Sequence, residues 1–400
     1  MSPSLAARRL KIGKSAYATS RVASRFPSRK ITFRNSGWSG DKAWLQLRGA
    51  DFDTALQRDV ISLHPKVVTI DYGMNDARDG DAGYAKYLEY EAKLTESLQK
   101  AGARVVLITS TPEERYEKDA PAGSPFNLAL KKFADGLKDV AARENVLFID
   151  QYSPFVKAIE DGRAAGVLST DPSANPMMRL ISPDGVHPEL GGHFLMATEI
   201  LRGLNAPSLV SSAELDAGVR STTAAQGCAI AWQTGPPGTV QFQRTDDCLP
   251  WPVPDDSRIA LVLKIPGFDP ATWLNRYELK VTNLPAASYK LTIDDQEIGD
   301  YAATDLAHGI NLGFMHKGPI FAQGQKLYQA IVAKNEIYYT RWRGVQLARL
   351  DDWMAKVPGI DDARTAEEAR LDKLISDDEA AIDFLRKPVP HVFKLTPVTR

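Results

Sequence analysis

Residues 66–76 read KVVTIDYGMND. The first half is an apolar, β-branched run of the kind that fills a strand buried on both faces. The second half places a glycine, an asparagine and an aspartate where that strand ends. An Asx turn is one reading of such an ending. The other is a site, because open parallel sheets bind ligands beyond the carboxyl ends of their strands. The residues on either side decide between them.

Helix and strand patterns alternate outward from this stretch up to about residue 205. Residues 15–26 read as a helix, 30–34 (KITFR) as a strand, 53–63 as a helix and 66–71 as the strand above. A long amphipathic helix over 84–102 stops at Gly102, and 104–109 (RVVLIT) is the next strand. A helix over 127–145, a strand over 146–150 and a last helix from Gly192 to Leu204 complete the series. This alternation predicts an α/β domain over residues 1–205: a flavodoxin-like, three-layer α/β/α parallel sheet. Residues 1–14 contain no apolar run able to supply a strand before the first helix.

Beyond residue 205 the texture changes. Four short β-type runs follow: TVQFQRT, RIALVLKI, RYELKVTNL and SYKLTIDDQEIGDY, the last a hairpin with Asp294 and Asp295 at its turn. A β-rich accessory region is expected over 206–324, and a helical C-terminal region over 325–400. The two cysteines, Cys228 and Cys248, flank two short strands around Gly-Pro-Pro-Gly. They read either as a disulfide across that hairpin or as two buried thiols. A bonded pair would fit an exported protein.

Composition narrows the function classes. The formal net charge of -1 lacks the basic surplus of a general nucleic-acid binder. No apolar run approaches the roughly 20 residues that span a bilayer. The N-terminus has basic residues but no apolar core behind them, so it does not read as a signal peptide. His308 and His316 lie near Asp305, yet match no metal-ligand spacing and read as loop histidines. The aromatics of IYYTRWRGVQLARLDDW (337–353) read as core rather than as a sugar-stacking face.

Three loops at strand ends carry the chemistry. NSGWSGD (35–41) offers the backbone N–H groups of Gly37 and Gly40. YGMND (72–76) offers Asn75 as a neutral donor beside Gly73. SPDGVHPELGGH (182–193) places Asp184 three residues before His187, a spacing that brings a carboxylate to one imidazole nitrogen and leaves the other free. Read singly, each is a turn, a Gly/Ser loop or a helix cap. Together, in this order, they resemble the SGNH hydrolases, the GDSL-type esterase superfamily, over about residues 15–205.

The resemblance implies the roles. Asn35 and Gly40 match the Asn-x-x-x-x-Gly block, whose glycine N–H joins the oxyanion hole. Gly73, Asn75 and Asp76 match Gly-x-Asn-Asp, with Asn75 the oxyanion donor. Asp184, His187 and Pro188 match Asp-x-x-His-Pro, with His187 the base and Asp184 its orienting partner. The implied reaction is hydrolysis of a small acyl ester, O-acetyl groups on carbohydrate first among substrates, with no metal or organic cofactor. A catalytically inactive binding protein and a long-acyl lipid esterase are the alternatives.

The family's Gly-Asp-Ser block, which supplies the nucleophile at the end of the first strand, is absent from the sequence. Ser4 stands nearest the expected place, with Ser2 and Pro3 where glycine and aspartate would be; Ser15 falls at the start of the first helix. A start ahead of Met1 is expected to supply both strand and serine, and the 400-residue form is expected to be inactive or poorly folded. A leader ahead of Met1 would also account for a bonded cysteine pair.

Overall fold

A computed structural model describes residues 16–114, 123–169, 179–181 and 184–398. The described chain clusters into two compact units. The first comprises Ser36–Ala206 with Asp256–Phe268; the second comprises residues 16–35, Pro207–Asp255 and residues 269–398. A helix over residues 16–25, α1, opens the described chain and belongs to the second unit.

The first unit is the α/β body. Its elements run α2 (Phe52–Asp59), β1 (Val67–Ile70), α3 (Gly80–Lys100), β2 (Arg104–Ile108), α4 (Pro125–Arg143), β3 (Leu147–Ile149), α5 (Tyr152–Ala164) and α6 (Leu190–Gly203). The strands are parallel in the order β1-β2-β3, with Val67 opposite Arg104 and Leu107 opposite Phe148. Parallel neighbours need a crossover, and α3 and α4 supply it. Local chemistry sets the helix ends. Asp51 caps α2 by accepting the Thr54 N–H at 3.1 Å, and Ser124 caps α4 by accepting that of Asn127 at 3.1 Å. α3 stops at Gly102, whose φ of 85° lets the Ala103 N–H return to the Leu98 carbonyl. Leu94 and Leu98 of α3, Val105 and Leu107 of β2, and Leu130, Phe133 and Leu137 of α4 form its core.

The second unit holds two sheets. β4 (Leu209–Asp216), β5 (Ser221–Gln226), β6 (Cys228–Gln233) and β7 (Val240–Asp246) come first; α7 (Ser257–Val262) then falls in the first unit. After it come α8 (Pro270–Leu274), β8 (Arg276–Thr282), β9 (Ser288–Ile293), β10 (Gln296–Ala302), α9 (Ala303–His308), β11 (Ile310–Asn311), α10 (Gly318–Tyr339), α11 (Ile360–Leu385) and β12 (His391–Pro397). The strand orders are β11-β8-β4-β5 and β10-β9-β12-β7-β6. β12 is therefore central in its sheet, so the last strand of the chain completes a sheet that residues 228–302 begin. Asp294 and Asp295 turn the β9–β10 hairpin with φ of 48° and 62°.

A buried polar cluster lies at the heart of this unit. Arg244 donates to Asp246 at 2.9 Å and to Ser211 at 2.7 Å, and Tyr277 donates to Asp246 at 2.8 Å. Burial acts to lower the Arg244 pKa, but Tyr277 and Asp246 outweigh it and hold the guanidinium above its ordinary value. Of the aromatics in 337–353, Tyr338 and Trp342 are buried and stacked, whereas Trp353 is exposed, so the core reading holds for only part of the stretch.

Three expectations are corrected. Residues 30–34 form no strand; the Phe33 carbonyl accepts the Lys334 ammonium at 2.7 Å, and Arg34 pairs with Glu379 at 2.5 Å. Residues 257–262 are helical rather than β. Asp256 caps them by accepting the Arg258 N–H at 2.8 Å, and they pack on α6 at Gly191, where a Cβ would lie 2.9 Å from the Arg258 carbonyl oxygen. Cys228 and Cys248 flank a real hairpin, but both thiols are free. Each points at a different carbonyl of β4: Cys228 Sγ lies 3.3 Å from the Ser212 oxygen, and Cys248 Sγ 3.6 Å from that of Val210. Burial pushes both thiols up in pKa.

No helix among the described residues is long and apolar enough to cross a membrane. Among the described residues, no group of three His, Cys, Asp or Glu side chains is placed to hold a metal ion.

Candidate active site

β1 ends at Ile70, and the chain turns at Gly73, whose φ of 123° favours glycine. Asp76 makes the turn rigid. Its carboxylate accepts the Gly73 N–H at 3.0 Å and the Ala43 N–H at 2.9 Å, and its side chain is fully enclosed. Burial pushes the Asp76 carboxyl up in pKa; the two amide bonds and Lys42 pull it back. α3 begins directly against this turn. A Cβ on Gly83 would lie 2.3 Å from the Asp76 carbonyl oxygen, so only glycine lets the helix approach. Deeper in α3, burial first, and then the charges of Asp76 and Asp71, push the Glu91 carboxyl well up.

The loop before α2 is latched onto this turn. Asn75 Nδ2 donates to the Asp41 carbonyl at 3.2 Å, directly after Gly40, whose φ is 75°. The Asp41 side chain points the other way, into the protein. It accepts Arg48 Nε at 2.9 Å and the Leu47 N–H at 3.1 Å. Arg48 also donates to Asp59 at 3.3 Å, to the Ser36 carbonyl at 3.1 Å and to the Tyr72 hydroxyl at 3.0 Å. Burial acts to lower the Arg48 pKa, yet Tyr72, Asp41 and Asp59 hold it above its usual value. Breaking such a buried pair costs about 3–5 kcal/mol.

The third loop carries the histidine. His187 Nδ1 lies 2.8 Å from Asp184 Oδ2, and the other Asp184 oxygen accepts the N–H groups of Val186 and His187 at 2.8 and 2.9 Å. One carboxylate thus shapes the turn and orients the ring. Both side chains face solvent, at 64% and 56% exposure for His187 and Asp184. α6 follows from Leu190.

The structure therefore brings Gly40, Gly73, Asn75 and Asp76 together, and Asp184 with His187. Asn35 falls in the second unit, and Ser4 lies outside the described residues. Sequence reading missed Arg48, although its partner Asp41 closes the quoted NSGWSGD. It also missed the pair Glu113 and Glu114, which nothing in the local pattern sets apart.

Residues 4–193 match the model of the GDSL-like lipase/acylhydrolase family. That match supports membership of the SGNH hydrolase superfamily. An acetylxylan esterase from Geobacillus stearothermophilus is 28% identical over 202 residues, 48% of this chain and 80% of that protein. Among solved structures, a gut microbial diltiazem-metabolizing enzyme superposes with a TM-score of 0.77 at 22% identity, over 97% of this chain and 96% of its own. That likeness covers both units and shows a shared fold. The solved acetylxylan esterase from Geobacillus stearothermophilus covers 49% of this chain and 82% of its own at 22% identity, with a TM-score of 0.39. The family match spans both the ending of β1 and the His187 loop.

Proposed function

We propose that this protein is a serine esterase of SGNH type that removes small acyl groups, O-acetyl on carbohydrate foremost, from ester substrates. The observation that carries this reading is the pairing of a solvent-facing Asp184–His187 dyad with the Asn75–Asp41 latch, next to Gly40, in one α/β unit. Asp184 fixes the Nδ1 side of His187, so Nε2 takes the proton from the attacking serine and returns it to the leaving alcohol. Asn75 has two N–H groups on Nδ2. One is spent on the Asp41 carbonyl at 3.2 Å, which orients the amide; the other is left for the oxyanion beside the Gly40 N–H. A donor held this way needs no reorganisation when charge develops. The acetylxylan esterase relative supports acetyl groups on carbohydrate as the substrate class.

The serine is the open role. Ser4 is the candidate by position. The absence of Gly-Asp-Ser from the sequence favours a second reading, a binding protein that keeps the pocket without turnover. Turnover of p-nitrophenyl acetate and of acetylated xylo-oligosaccharides separates the two, and peptide mapping after fluorophosphonate labelling names the nucleophile. A labelled serine with His187-dependent turnover is expected. Binding of acetylated sugar with neither label nor turnover would replace the esterase reading with the second.

A further inference from the structure

The Asn75 turn and the His187 loop sit on different elements, and a dipeptide beyond β2 connects them. Glu113 and Glu114 are both buried. Glu113 faces the Asn75 side: its carboxylate pairs with Arg78, two residues past Asp76. Its backbone is clamped by Asn127, which accepts the Glu113 N–H and donates to the Glu113 carbonyl, each at 2.8 Å. Glu114 faces the other way. Its N–H donates to the Gly185 carbonyl at 2.7 Å, and its carboxylate accepts the Ile181 N–H at 2.9 Å. Ile181 in turn closes the base of the histidine loop, its carbonyl accepting the Glu189 N–H at 3.0 Å. Gly192 allows that approach, since a Cβ there would lie 3.2 Å from the same oxygen.

We propose that Glu114 is a positioning residue for His187: it holds Ile181 and the Gly185 end of loop 184–189 to the segment that Arg78 ties to the Asn75 turn. The proposal rests on the esterase reading for its kinetic consequence, but not for its structural one. It makes the separation of base and oxyanion donors depend on one buried carboxylate that never meets substrate. The groups facing that carboxylate are Arg163 of α5, 3.9 Å from Oε1, and Arg179 just before Ile181. Burial pushes the Glu114 carboxyl up to about 7, against the pull of the Ile181 N–H and both guanidinium groups. A native value above the ordinary 4.5 means the closed loop binds the proton more tightly than an open one. The proton's contribution to closure is then complete below about pH 4.5 and lost as pH rises through about 7.

The test is hydrogen exchange by mass spectrometry on the full chain, read alongside kinetics with p-nitrophenyl acetate. In Glu114→Leu, peptides covering 184–189 are expected to exchange at least about tenfold faster. Their kcat should fall about 10²-fold with KM within about twofold, the signature of a misplaced catalytic group. Glu114→Gln keeps an acceptor for Ile181, so it should restore slow exchange and most of kcat. It should also abolish the rise in intrinsic-rate-corrected exchange that the wild type shows as pH passes about 7. Unchanged exchange at 184–189 in Glu114→Leu overturns the proposal. If that variant does not fold, Glu114→Gln decides: a wild-type pH dependence of exchange in it overturns the proposal equally. A wild type without turnover sinks the esterase reading alone, since the exchange measurements still decide the role of Glu114.

Discussion

Among the described residues, two short histidine–aspartate pairs have nearly the same length. His187 Nδ1 meets Asp184 at 2.8 Å in the first unit, and His391 Nδ1 meets Asp294 at 2.7 Å in the second. In each, the second oxygen of the aspartate accepts a backbone N–H one residue from, or of, the histidine itself. By distance alone the pairs cannot be told apart. Accessibility separates them. The His187 side chain is 64% exposed, whereas that of His391 is 7% exposed and its Nε2 is sealed from solvent with no hydrogen-bond partner among the described residues. A base must reach the proton it takes. His391 sits at the start of a central strand and locks it to the β9–β10 turn; His187 stands in a loop just ahead of α6. The lesson is that a dyad is read from where the fold puts its free nitrogen.

The largest expected effect breaks the comparison on the rate axis. His187→Ala should lower kcat by about 10⁴–10⁶-fold, since the base and nucleophile of such enzymes act as a unit. Esterase assays on purified protein check this, and a variant that keeps wild-type turnover would remove His187 from the chemistry. Next comes the donor. Asn75→Ala should lower kcat by about 10²–10³-fold with little change in KM, because a donor aimed at developing charge is felt only in the transition state. Undiminished kcat would show that the Asn75 amide serves only to latch the Asp41 carbonyl.

How much of this was legible in the sequence follows from the range of the interactions. The Gly73–Asp76 turn and the Asp184–His187 pair were legible because each closes within a few residues, where residue type dictates backbone shape; the bond from Asn75 to the Asp41 carbonyl, 34 positions away, was not. The parallel β1-β2-β3 core was legible for the same reason: its strands are short apolar runs bracketed by capped helices. Residues 391–397 were not, because β12 owes its existence to Phe393 lying opposite Phe242 on one side and Ile293 on the other. Residues 258–265 misled because a short apolar run carries no period; the Asp256 cap and the glycine notch at Gly191 made it a helix. The run at 30–34 had the right composition for a strand, but Lys334, some 300 positions away, took its carbonyl. Glu114 was invisible for a related cause: its meaning lies in Ile181 and Gly185, neither of which marks it locally.

The smallest expected effect sharpens the comparison from the other side. His391→Ala should leave esterase kcat within about twofold of wild type and should instead cost stability, about 1–3 kcal/mol. The reasoning is local. Asp294 keeps its bond to the Val392 N–H at 2.8 Å when the imidazole is removed, so the turn does not come apart outright. It does lose the partner of its other oxygen and the packing of a nearly buried ring. Asp294 is itself 39% exposed, so water can replace part of the lost bond, which places the cost toward the lower end. His187→Ala should show the reverse, because a side chain mostly in solvent contributes little to folding while its nitrogen contributes nearly everything to proton transfer. Denaturant melts and kinetics on both variants complete a cross. If His391→Ala lost turnover while keeping its melting profile, burial would no longer distinguish the two pairs, and the assignment of the base to His187 would have to be made on other grounds.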